Sequence, residues 1–421
     1  MLTVLKANGD LSRIFNRSQL DIEPVNSAVN DIIKKVKRDG DKALFELTKK
    51  LDGFDLNASS IKLKDSEIEG ALKYVDNQTL AALKKAKKNI EDYHKRQMPK
   101  ADFNYSSDKT GFVFRPVDSV GIYVPGGKAA YPSSVLMNAI PAVVAGVDKI
   151  IMVTPPGKFL NSLTIVAAHI CGIKNIYRVG GAQAIAALAF GTQSIPSVDV
   201  IVGPGNIYVT AAKKQVYGHV GIDMIAGPSE ILIIADKSAN PAYIAADMLS
   251  QAEHDELAQS VLLTTCADLA DKVNIELDSQ IKMLPKEAIA KSSLQNYGAI
   301  VICSDLNEAA ELSNKIAPEH LELMVTDPNA LLKGIKHAGA VFLGNYSPEP
   351  LGDYYAGTNH VLPTSGTAKF SSGLGVDTFL KRISVVNYSA SDLKEVADDV
   401  VLLAKTEALD AHANSIAIRQ S

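Results

Sequence analysis

The chain has no tryptophan, and aromatic residues make up only 6% of its 421 positions. Proteins that stack nucleic-acid bases need aromatic side chains, so this composition argues against such a role. The net charge of −4 gives no electrostatic attraction for nucleic acid or for an anionic membrane. The sequence therefore predicts neither a nucleic-acid partner nor a membrane partner.

The three cysteines, Cys171, Cys266 and Cys303, are far apart and form no Cys-x-x-Cys pair. This spacing supports neither a disulfide framework nor a cysteine zinc site. No apolar run reaches the ~18 residues of a membrane span, and the start of the chain lacks the apolar stretch of a signal peptide. We therefore expect a reducing, cytoplasmic setting.

The length, with 47% hydrophobic and 21% charged residues, is typical of a globular protein with two or more domains. From residue 119 onward, apolar runs that end in glycine or proline alternate with helical segments. This alternation is typical of parallel, doubly wound sheets. A second such set begins at Glu230. The sequence thus predicts two α/β units, followed by a mostly helical tail over 391–420.

Three glycine-rich turns lie in the first α/β unit, at 121–128, 180–183 and 203–206. None is a complete nucleotide-binding motif, because Tyr208 stands where the third glycine of Gly-x-Gly-x-x-Gly would fall, and 121–128 is one residue too long for a P-loop. Each turn alone is more simply structural. Together they favour a ligand crevice in this half, where backbone N–H groups could meet a pyrophosphate.

Residues of the metal-ligand type lie at the end of an apolar helical run that begins at Pro241, with Asn240 as a suitable cap. Gln251 and His254 are three residues apart and would share one face of a helix. An amide oxygen and an imidazole nitrogen side by side can hold a divalent cation. A solvated polar helix end is the alternative interpretation, and this segment alone does not decide between them.

Carboxylates and imidazoles recur later in the chain. Glu319 and His320 are adjacent and could divide base work between two protons, although a loop with ordinary polar residues is the simpler local interpretation. Asp353 and His360 follow, and the tail adds Glu407 and His412. The last two are five residues apart and would not share a face of one unbroken helix. A helix that starts near Asp410, a good cap residue, would resolve this.

Four long motifs carry a resemblance to a known family. They are Gly121-Ile-Tyr-Val-Pro-Gly-Gly, Gly180-Gly-Ala-Gln-Ala-Ile-Ala-Ala-Leu-Ala, Val202-Gly-Pro-Gly-Asn-Ile-Tyr-Val-Thr and Met224-Ile-Ala-Gly-Pro-Ser-Glu. Through these motifs, and over nearly its whole length, the sequence resembles histidinol dehydrogenase, a zinc enzyme of histidine biosynthesis. Departures are small, such as Thr358 before Asn359, where many relatives have proline.

The resemblance implies two incomplete Rossmann-like doubly wound domains with small terminal segments, in an intertwined homodimer with shared active sites. Residues 19–122 and 229–374 would form the first domain, which holds metal and substrate. Residues 123–228 would form the second, which holds NAD. Residues 1–18 would be an N-terminal arm, and residues 375–421 a C-terminal helical tail.

Site residues follow from the resemblance position by position. It implies one zinc per active site, with ligands at Gln251, His254, Asp353 and His412. It implies an acid/base pair at Glu319 and His320, and NAD contacts at Tyr123, Gln183 and Asn206. Substrate contacts would include these zinc ligands and the acid/base pair, together with Ser229, His360 and Glu407.

The implied activity is oxidation of L-histidinol to L-histidine through histidinal, with two NAD reduced. His320 would act as the base, and Glu319 would activate water. Two alternatives stay open: a related NAD-dependent dehydrogenase of another small polar alcohol, and a zinc hydrolase or non-catalytic binding module. Formation of NADH from NAD and histidinol would exclude the hydrolase and the binding module, and a panel of alcohols would test the first alternative.

Overall fold

The computed structural model describes residues 2–17, 22–100, 107–126, 131–157 and 160–420. The chain divides into two compact units. The first consists of Met1–Met98 and Val117–Phe379, and the second of Pro99–Pro116 and Leu380–Ser421. Within the described ranges, no helix combines the length and the apolar character needed to cross a membrane.

The described residues form thirteen strands. These are β1 (Val4–Lys6), β2 (Thr110–Pro116), β3 (Ser119–Tyr123), β4 (Lys149–Thr154), β5 (Asn175–Arg178), β6 (Val200–Val202), β7 (Gly221–Ile222), β8 (Glu230–Ala235), β9 (Gln259–Thr264), β10 (Ala299–Ile302), β11 (His320–Met324), β12 (Ala340–Leu343) and β13 (Leu380–Val386).

They also form seventeen α-helices. These are α1 (Ser12–Phe15), α2 (Glu23–Asp39), α3 (Asp41–Asp52), α4 (Asp65–Ala71), α5 (Asn77–Lys95), α6 (Pro132–Ala145), α7 (Ser162–Ile170), α8 (Gly181–Phe190), α9 (Ile207–Val216), α10 (Pro241–Ala252), α11 (Ala267–Gln280), α12 (Glu287–Tyr297), α13 (Leu306–Ile316), α14 (Pro328–Leu332), α15 (Glu349–Tyr354), α16 (Ala390–Thr406) and α17 (Asp410–Ala417). Short 3-10 helices lie at Leu72–Tyr74, Ile281–Met283, Thr367–Lys369 and Val376–Phe379.

The first unit contains two parallel sheets. One has five strands in the order β5-β4-β3-β6-β7, and the other has six in the order β1-β10-β9-β8-β11-β12. In the five-stranded sheet, β4 and β5 extend from one side of β3, and β6 and β7 then extend from its other side. In the six-stranded sheet, β9 and β10 extend from one side of β8, and β11 and β12 then extend from its other side. The two sheets therefore share one strand order, which β1 extends at the edge of the second. The predicted α/β class with parallel sheets is confirmed.

Strand β8 illustrates why the sequence of these strands is apolar throughout. It is buried along its whole length because helices cover both faces of its sheet. Ile231 and Ile233 pack into the core on the side of α10, α11 and α12. Leu232 and Ile234 pack into the opposite core with α13. Each such side chain contributes roughly 1.5–3 kcal/mol when fully buried.

Helix α10 begins as the sequence predicts. Pro241 is its first residue, and the Asn240 side chain accepts a hydrogen bond of 2.9 Å from the backbone N–H of Ala242. The helix ends at Ala252, so His254 lies beyond it. The prediction that Gln251 and His254 share a helix face is therefore wrong. A tight turn follows instead, in which the His254 N–H donates to the Gln251 carbonyl at 3.2 Å.

The second unit combines an antiparallel pair of strands, β2 and β13, with α16 and α17. Helix α16 ends at Thr406 and α17 begins at Asp410. Glu407 and His412 thus do not belong to one unbroken helix, and the predicted helix start near Asp410 is confirmed. Leu409, rather than Asp410, occupies the cap position.

Candidate active site

Polar side chains gather at the amino ends of neighbouring strands in the six-stranded sheet. His320 is the first residue of β11, where the register pairs it with Ile231 of β8 and Ala340 of β12. Helix α10 runs back from the carboxyl end of β8 to the amino end of β9, so its last turn brings Gln251 to the same edge. We call this edge of the sheet the amino edge.

The backbone of Glu230 holds both members of the predicted acid/base pair. Its N–H donates to Glu319 Oε2 at 2.8 Å, and its carbonyl oxygen lies 3.0 Å from His320 Nδ1. The contact with a carbonyl oxygen makes Nδ1 the protonated nitrogen of the ring. His320 Nε2 is buried and has no hydrogen-bond partner among the described residues. This nitrogen is the one that can accept a proton from a bound molecule.

A buried ion pair fixes the Glu230 side chain in turn. Arg17 contacts both carboxylate oxygens, at 2.7 and 2.8 Å, and the Ser365 N–H donates to one of them at 3.1 Å. Arg17 also donates to the carbonyl of Ile316. Burial raises the pKa of Glu230, and the charge of Arg17 opposes this shift. The N-terminal segment thereby supports Glu230 of β8, whose backbone holds the acid/base pair of β11.

Three carboxylates surround the His320 ring. Glu319 Oε2 lies 3.7 Å from Nδ1, whereas Asp353 Oδ1 and Glu349 Oε1 lie 3.7 and 3.9 Å from Nε2. Burial alone would lower the pKa of His320, but these carboxylates outweigh it and raise the pKa to about 10. Burial also raises the pKa of Glu319 to about 8, against the opposing charge of His320. The cluster contains more acidic groups than basic ones.

Three of the four predicted zinc ligands lie in this cluster. Gln251 Nε2 is 3.1 Å from His254 Nδ1, and Gln251 Oε1 is buried without a partner in the described chain. Burial disfavours ionisation of Asp353, but the His320 ring and the charges of His360 and His254 outweigh it and lower its pKa. The structure thus brings the predicted ligands Gln251, His254 and Asp353 together with His360.

The predicted cofactor residues lie in the other sheet, at the carboxyl ends of its strands. Tyr123 is the last residue of β3, Gln183 lies in the first turn of α8 after β5, and Asn206 follows β6 and caps α9. The Tyr123 hydroxyl accepts a hydrogen bond of 3.1 Å from the Gly181 N–H. We call this the carboxyl edge. It includes the gap between β3 and β6, where the strand order changes direction.

The backbone approaches itself closely at the carboxyl edge. Gly203 has a φ of +108°, and a Cβ added there would lie 2.1 Å from the Tyr123 carbonyl oxygen, so only glycine fits. Lys213 Nζ donates to the Gly203 carbonyl at 3.0 Å and forms a buried ion pair with Asp223. Asp223 Oδ2 accepts from the Gly203 N–H at 2.8 Å. Two buried charges therefore fix the turn that precedes Asn206.

Comparison with known proteins identifies the family. The family model described as histidinol dehydrogenase matches residues 15–420. The histidinol dehydrogenase of Caldanaerobacter subterraneus subsp. tengcongensis is 55% identical over 413 residues, which is 98% of this chain and 96% of that protein. The chain belongs to the histidinol dehydrogenase family. The Clostridium acetobutylicum relative is 55% identical over 397 residues, covering 93% of this chain and 91% of its own length.

A solved structure agrees. The crystal structure of histidinol dehydrogenase from Elizabethkingia anophelis has a TM-score of 0.94 at 37% identity, covering 100% of this chain and 98% of that one. The resemblance predicted from the sequence motifs is confirmed. The protein is an oxidoreductase of histidine biosynthesis that acts on a small molecule. The hydrolase and the non-catalytic binding module, which the sequence left open, are thereby excluded.

Glu349 belongs to the amino-edge cluster of this family member, although the sequence motifs do not point to it. Glu349, Asp353 and His320 offer ligand atoms within 4.8 Å of one another. Glu349 Oε2 accepts from Ser250 Oγ at 3.0 Å, and its N–H donates to Glu322 Oε1 at 2.8 Å. Glu349 and Asp353 are four residues apart on α15 and share its face. This spacing is the sequence signal that could have identified Glu349.

The remaining predicted residues of the histidinol dehydrogenase site occupy two places. Ser229 directly precedes β8 at the amino edge, and its carbonyl accepts from the Gln259 N–H at 3.0 Å. Glu407 and His412 belong to the second unit, where both are exposed. Glu407 is the C-cap of α16, and His412 lies in the first turn of α17.

Proposed function

We propose that the enzyme oxidises L-histidinol to L-histidine through histidinal, with two NAD reduced and one zinc held in each active site. The observation that carries this proposal is the attachment of Glu319 and His320 to one backbone unit, that of Glu230. A carboxylate and an imidazole are thereby fixed side by side. Two successive oxidations at one carbon need proton acceptors for two different species, an alcohol and a water molecule.

His320 is the base for the alcohol. The carboxylates around the His320 ring raise its pKa, and bound zinc would offset their negative charge and so favour the neutral ring. Because Nδ1 is committed to the Glu230 carbonyl, Nε2 of the neutral ring takes the proton of the substrate hydroxyl while the carbon loses hydride. The aldehyde that results has no hydroxyl and cannot lose hydride until water has added to it. His320 Nε2 serves again when the hydrated aldehyde is oxidised, because that stage also releases a hydroxyl proton.

Glu319 activates the water. Its Oε2 is held by the Glu230 N–H, and the carboxylate takes a proton from the water that adds to the aldehyde carbon. Burial raises the pKa of Glu319 to about 8, so the carboxylate form that acts as the base becomes the main form above that pH. The products of the second stage are the carboxylate of histidine, a second hydride equivalent and protons that leave to solvent.

The residues at the amino edge fit a zinc ion. Every ligand atom that these residues offer is nitrogen or oxygen, which suits zinc. The buried Gln251 Oε1 has no hydrogen-bond partner among the described residues. Three carboxylates lie around the single buried His320 ring, and a bound cation would compensate their negative charge. Gln251, His254 and Asp353, completed by His412, would hold it. When bound, zinc would orient the imidazole and amino group of the substrate.

The carboxyl edge fits NAD. In doubly wound sheets, dinucleotides bind beyond the carboxyl ends of strands where the strand order changes direction. Tyr123 and Asn206 lie at the two strands on either side of that position, and α9 offers backbone N–H groups at its start. Tyr123, Gln183 and Asn206 would contact NAD, whose nicotinamide accepts the hydride when bound. The two sheets would then be the cores of the two incomplete Rossmann-like domains. Because β3 belongs to the five-stranded sheet, the boundary expected at 122/123 would fall before Ser119.

Glu407 and His412 would reach the active site from the partner subunit of an intertwined homodimer. The second unit supports this proposal because it exposes apolar side chains: Leu402, Leu403 and Ile418 are each 65% exposed. Exposed apolar groups of this kind mark surfaces that are covered by a partner. Each tail would then complete a site whose other residues belong to the opposite chain.

The reaction is tested by mixing the zinc-loaded enzyme with NAD and L-histidinol and following NADH absorbance. We expect two NADH for each histidinol consumed, with histidine as the product. A panel of other small polar alcohols serves as the control for substrate identity. Faster turnover of another alcohol, or NADH without histidine, would contradict the proposed reaction.

The shared site is tested by complementation. A chain truncated before Glu407 should be inactive, and so should a Glu319→Gln, His320→Asn double variant. Mixed dimers of the two should recover activity, because one of their two sites combines an intact acid/base pair with an intact tail. Verified mixed dimers without activity would show that the tail serves its own subunit.

A further inference from the structure

Asp52 lies beside two of the proposed cofactor residues without belonging to any motif. It is the last residue of α3, and its Oδ2 accepts a hydrogen bond of 3.1 Å from Gln183 Nε2. Burial raises the pKa of the Tyr123 hydroxyl to about 12, and the negative charge of Asp52 adds to the shift. An acidic group thus faces the part of the carboxyl edge that holds Tyr123 and Gln183.

The position is an unfavourable one for a carboxylate. The end of a helix carries a partial negative charge, so an acidic side chain in the last turn of α3 is destabilising. Within the described residues, Asp52 has no ion-pair partner, and its hydrogen bond from Gln183 is the only one. Partial burial raises its pKa. Charged groups kept where they cost stability are characteristic of functional sites.

Gln183 supplies a second, independent indication of a ligand. Its side chain is 1% exposed, and its Oε1 has no hydrogen-bond partner among the described residues. The Gln183 side-chain nitrogen therefore donates to Asp52, whereas its side-chain oxygen remains available to accept a hydrogen bond beside it. Gly181, with a φ of +63°, lies against this oxygen: a Cβ added there would be 2.7 Å from it. A side chain at position 181 would therefore collide with the oxygen that has no described partner.

The usual acidic residue of a dinucleotide site is missing from the neighbouring strand. In doubly wound sheets, an acid near the end of the second strand binds the ribose hydroxyls of NAD. The corresponding strand here is β4, which ends at Thr154 and continues Pro155-Pro156-Gly157-Lys158 without any acid. Pro155 packs against Gly180, since a Cβ added to that glycine would lie 2.5 Å from the proline ring. The end of β4 is thereby linked through 180–183 to Asp52.

We propose that Asp52 accepts hydrogen bonds from the adenosine ribose hydroxyls of the dinucleotide and so selects NAD over NADP. The inference rests on the proposed use of NAD at the carboxyl edge. A carboxylate can accept from both neighbouring hydroxyls of a ribose. The 2′-phosphate of NADP would bring two more negative charges against the same group, and like charges at such distances repel.

The test measures equilibrium binding of NADH and NADPH to the full-length, zinc-loaded enzyme by calorimetry. The variant Asp52→Asn keeps the size of the side chain and an oxygen for Gln183 Nε2, but it removes the charge. We expect the ratio of the NADPH to the NADH dissociation constant to fall about tenfold or more, the scale of a hydrogen bond to a charged group. Asp52→Glu should keep a preference for NADH.

The matched control is Asp55→Asn. Asp55 is a nearby exposed carboxylate that pairs with Lys49 at 2.9 Å, so its substitution makes the same change in net charge. The NADPH to NADH ratio should stay at the wild-type value. Without ligand, Asp52→Asn should unfold at a temperature no lower than the wild type, because the lost charge was unfavourable for α3.

The outcomes separate the two proposals. Wild-type enzyme that binds neither dinucleotide contradicts the proposed cofactor site and this inference with it. NADH binding with the same ratio in the wild type and Asp52→Asn overturns the role of Asp52 alone. Equal weakening of both dinucleotides, or a lower unfolding temperature with an unchanged ratio, would show that Asp52 only supports Gln183, which also overturns the inference.

Discussion

The two sheets of the first unit share one strand order but carry their polar groups at opposite ends of their strands. In the six-stranded sheet, Glu319, His320 and Asp353 gather at the amino edge. In the five-stranded sheet, Tyr123 and Asn206 lie at the carboxyl edge. Helices α10 and α13 end at the amino edge, whereas α8 and α9 begin at the carboxyl edge.

The direction of the helices gives each edge a preferred charge. A helix end carries partial negative charge and attracts cations, and a helix start carries partial positive charge and attracts anions. The amino edge, with two helix ends and several carboxylates, suits a metal ion. The carboxyl edge, with two helix starts and glycine turns, suits the phosphates of a dinucleotide. Similar scaffolds are thus expected to bind ligands of opposite charge according to the edge that is used.

The largest expected effects separate the two bases at the amino edge. Glu319→Gln keeps the shape of the side chain and removes the base, so it should slow the oxidation of histidinal more than that of histidinol. His320→Asn should impair both stages, each by roughly 10²–10⁴-fold. Histidinol and histidinal are supplied separately to each variant, and NADH is followed. Normal turnover of histidinal by Glu319→Gln, with failure on histidinol, would mean that the roles are reversed.

The next effect concerns stability at the carboxyl edge. The side chains of Lys213 and Asp223 are only 5% and 1% exposed, and removal of one partner leaves the other charge buried. Lys213→Met should lower the free energy of unfolding by about 3–5 kcal/mol. Lys214→Met changes the net charge equally at an exposed position and is the control. Similar denaturant midpoints for the two variants would show that the buried pair does not fix the Gly203 turn.

Zinc retention tests the charge preference of the amino edge. His254→Asn removes one proposed ligand and should weaken zinc binding at least about 10–100-fold, the loss seen even when groups behind the ligands are changed. Metal content is measured after dialysis, together with turnover. His337→Asn alters a histidine outside the proposed ligand set and is the control. Full zinc occupancy and normal turnover in His254→Asn would remove this residue from the ligand set.

The smallest effect distinguishes binding from capping at the carboxyl edge. Asn206 Oδ1 accepts from the N–H groups of Tyr208 and Val209 at 3.1 and 3.2 Å, so Asn206→Ala should cost about 1 kcal/mol of stability as a lost helix cap. It should also raise the KM for NAD more than that for histidinol. The control is Asn161→Ala, which removes the cap of α7, the helix between β4 and β5 of the same sheet. If Asn206→Ala and Asn161→Ala raise the KM for NAD equally, Asn206 caps a helix and does not contact NAD.

Much of the fold follows from sequence patterns that are local. The Asn240 cap, the Pro241 helix start and the apolar run of β8 depend on neighbouring residues alone, and the structure confirms them. The antiparallel pairing of β2 with β13 joins residues more than 260 positions apart, from Thr110 with Val386 to Pro116 with Leu380. No local pattern marks two such strands as partners, so this pairing is seen only in the folded chain.

The candidate site divides in the same way. The family resemblance identifies Glu319, His320 and Asp353, which the structure brings together. It does not reveal the part played by Glu230, because a backbone N–H and carbonyl leave no trace in residue identity. Strand β11 begins at His320 and also contains Glu322, and both polar residues are buried. The site requires polar residues at the buried end of a strand. Hydrophobic patterns do not reveal such residues.

The attachment of the acid/base pair to Glu230 has a consequence for how the enzyme is made. Strands β8 and β11 are separated by more than 80 residues, and the hydrogen bonds from Glu230 to the pair exist only once these strands have paired. Contacts between distant segments form slowly during folding. A newly synthesised chain therefore gains its acid/base pair only when the centre of the sheet has closed. If the tail of the partner completes the site, as proposed, activity would follow only after two such folded chains have joined.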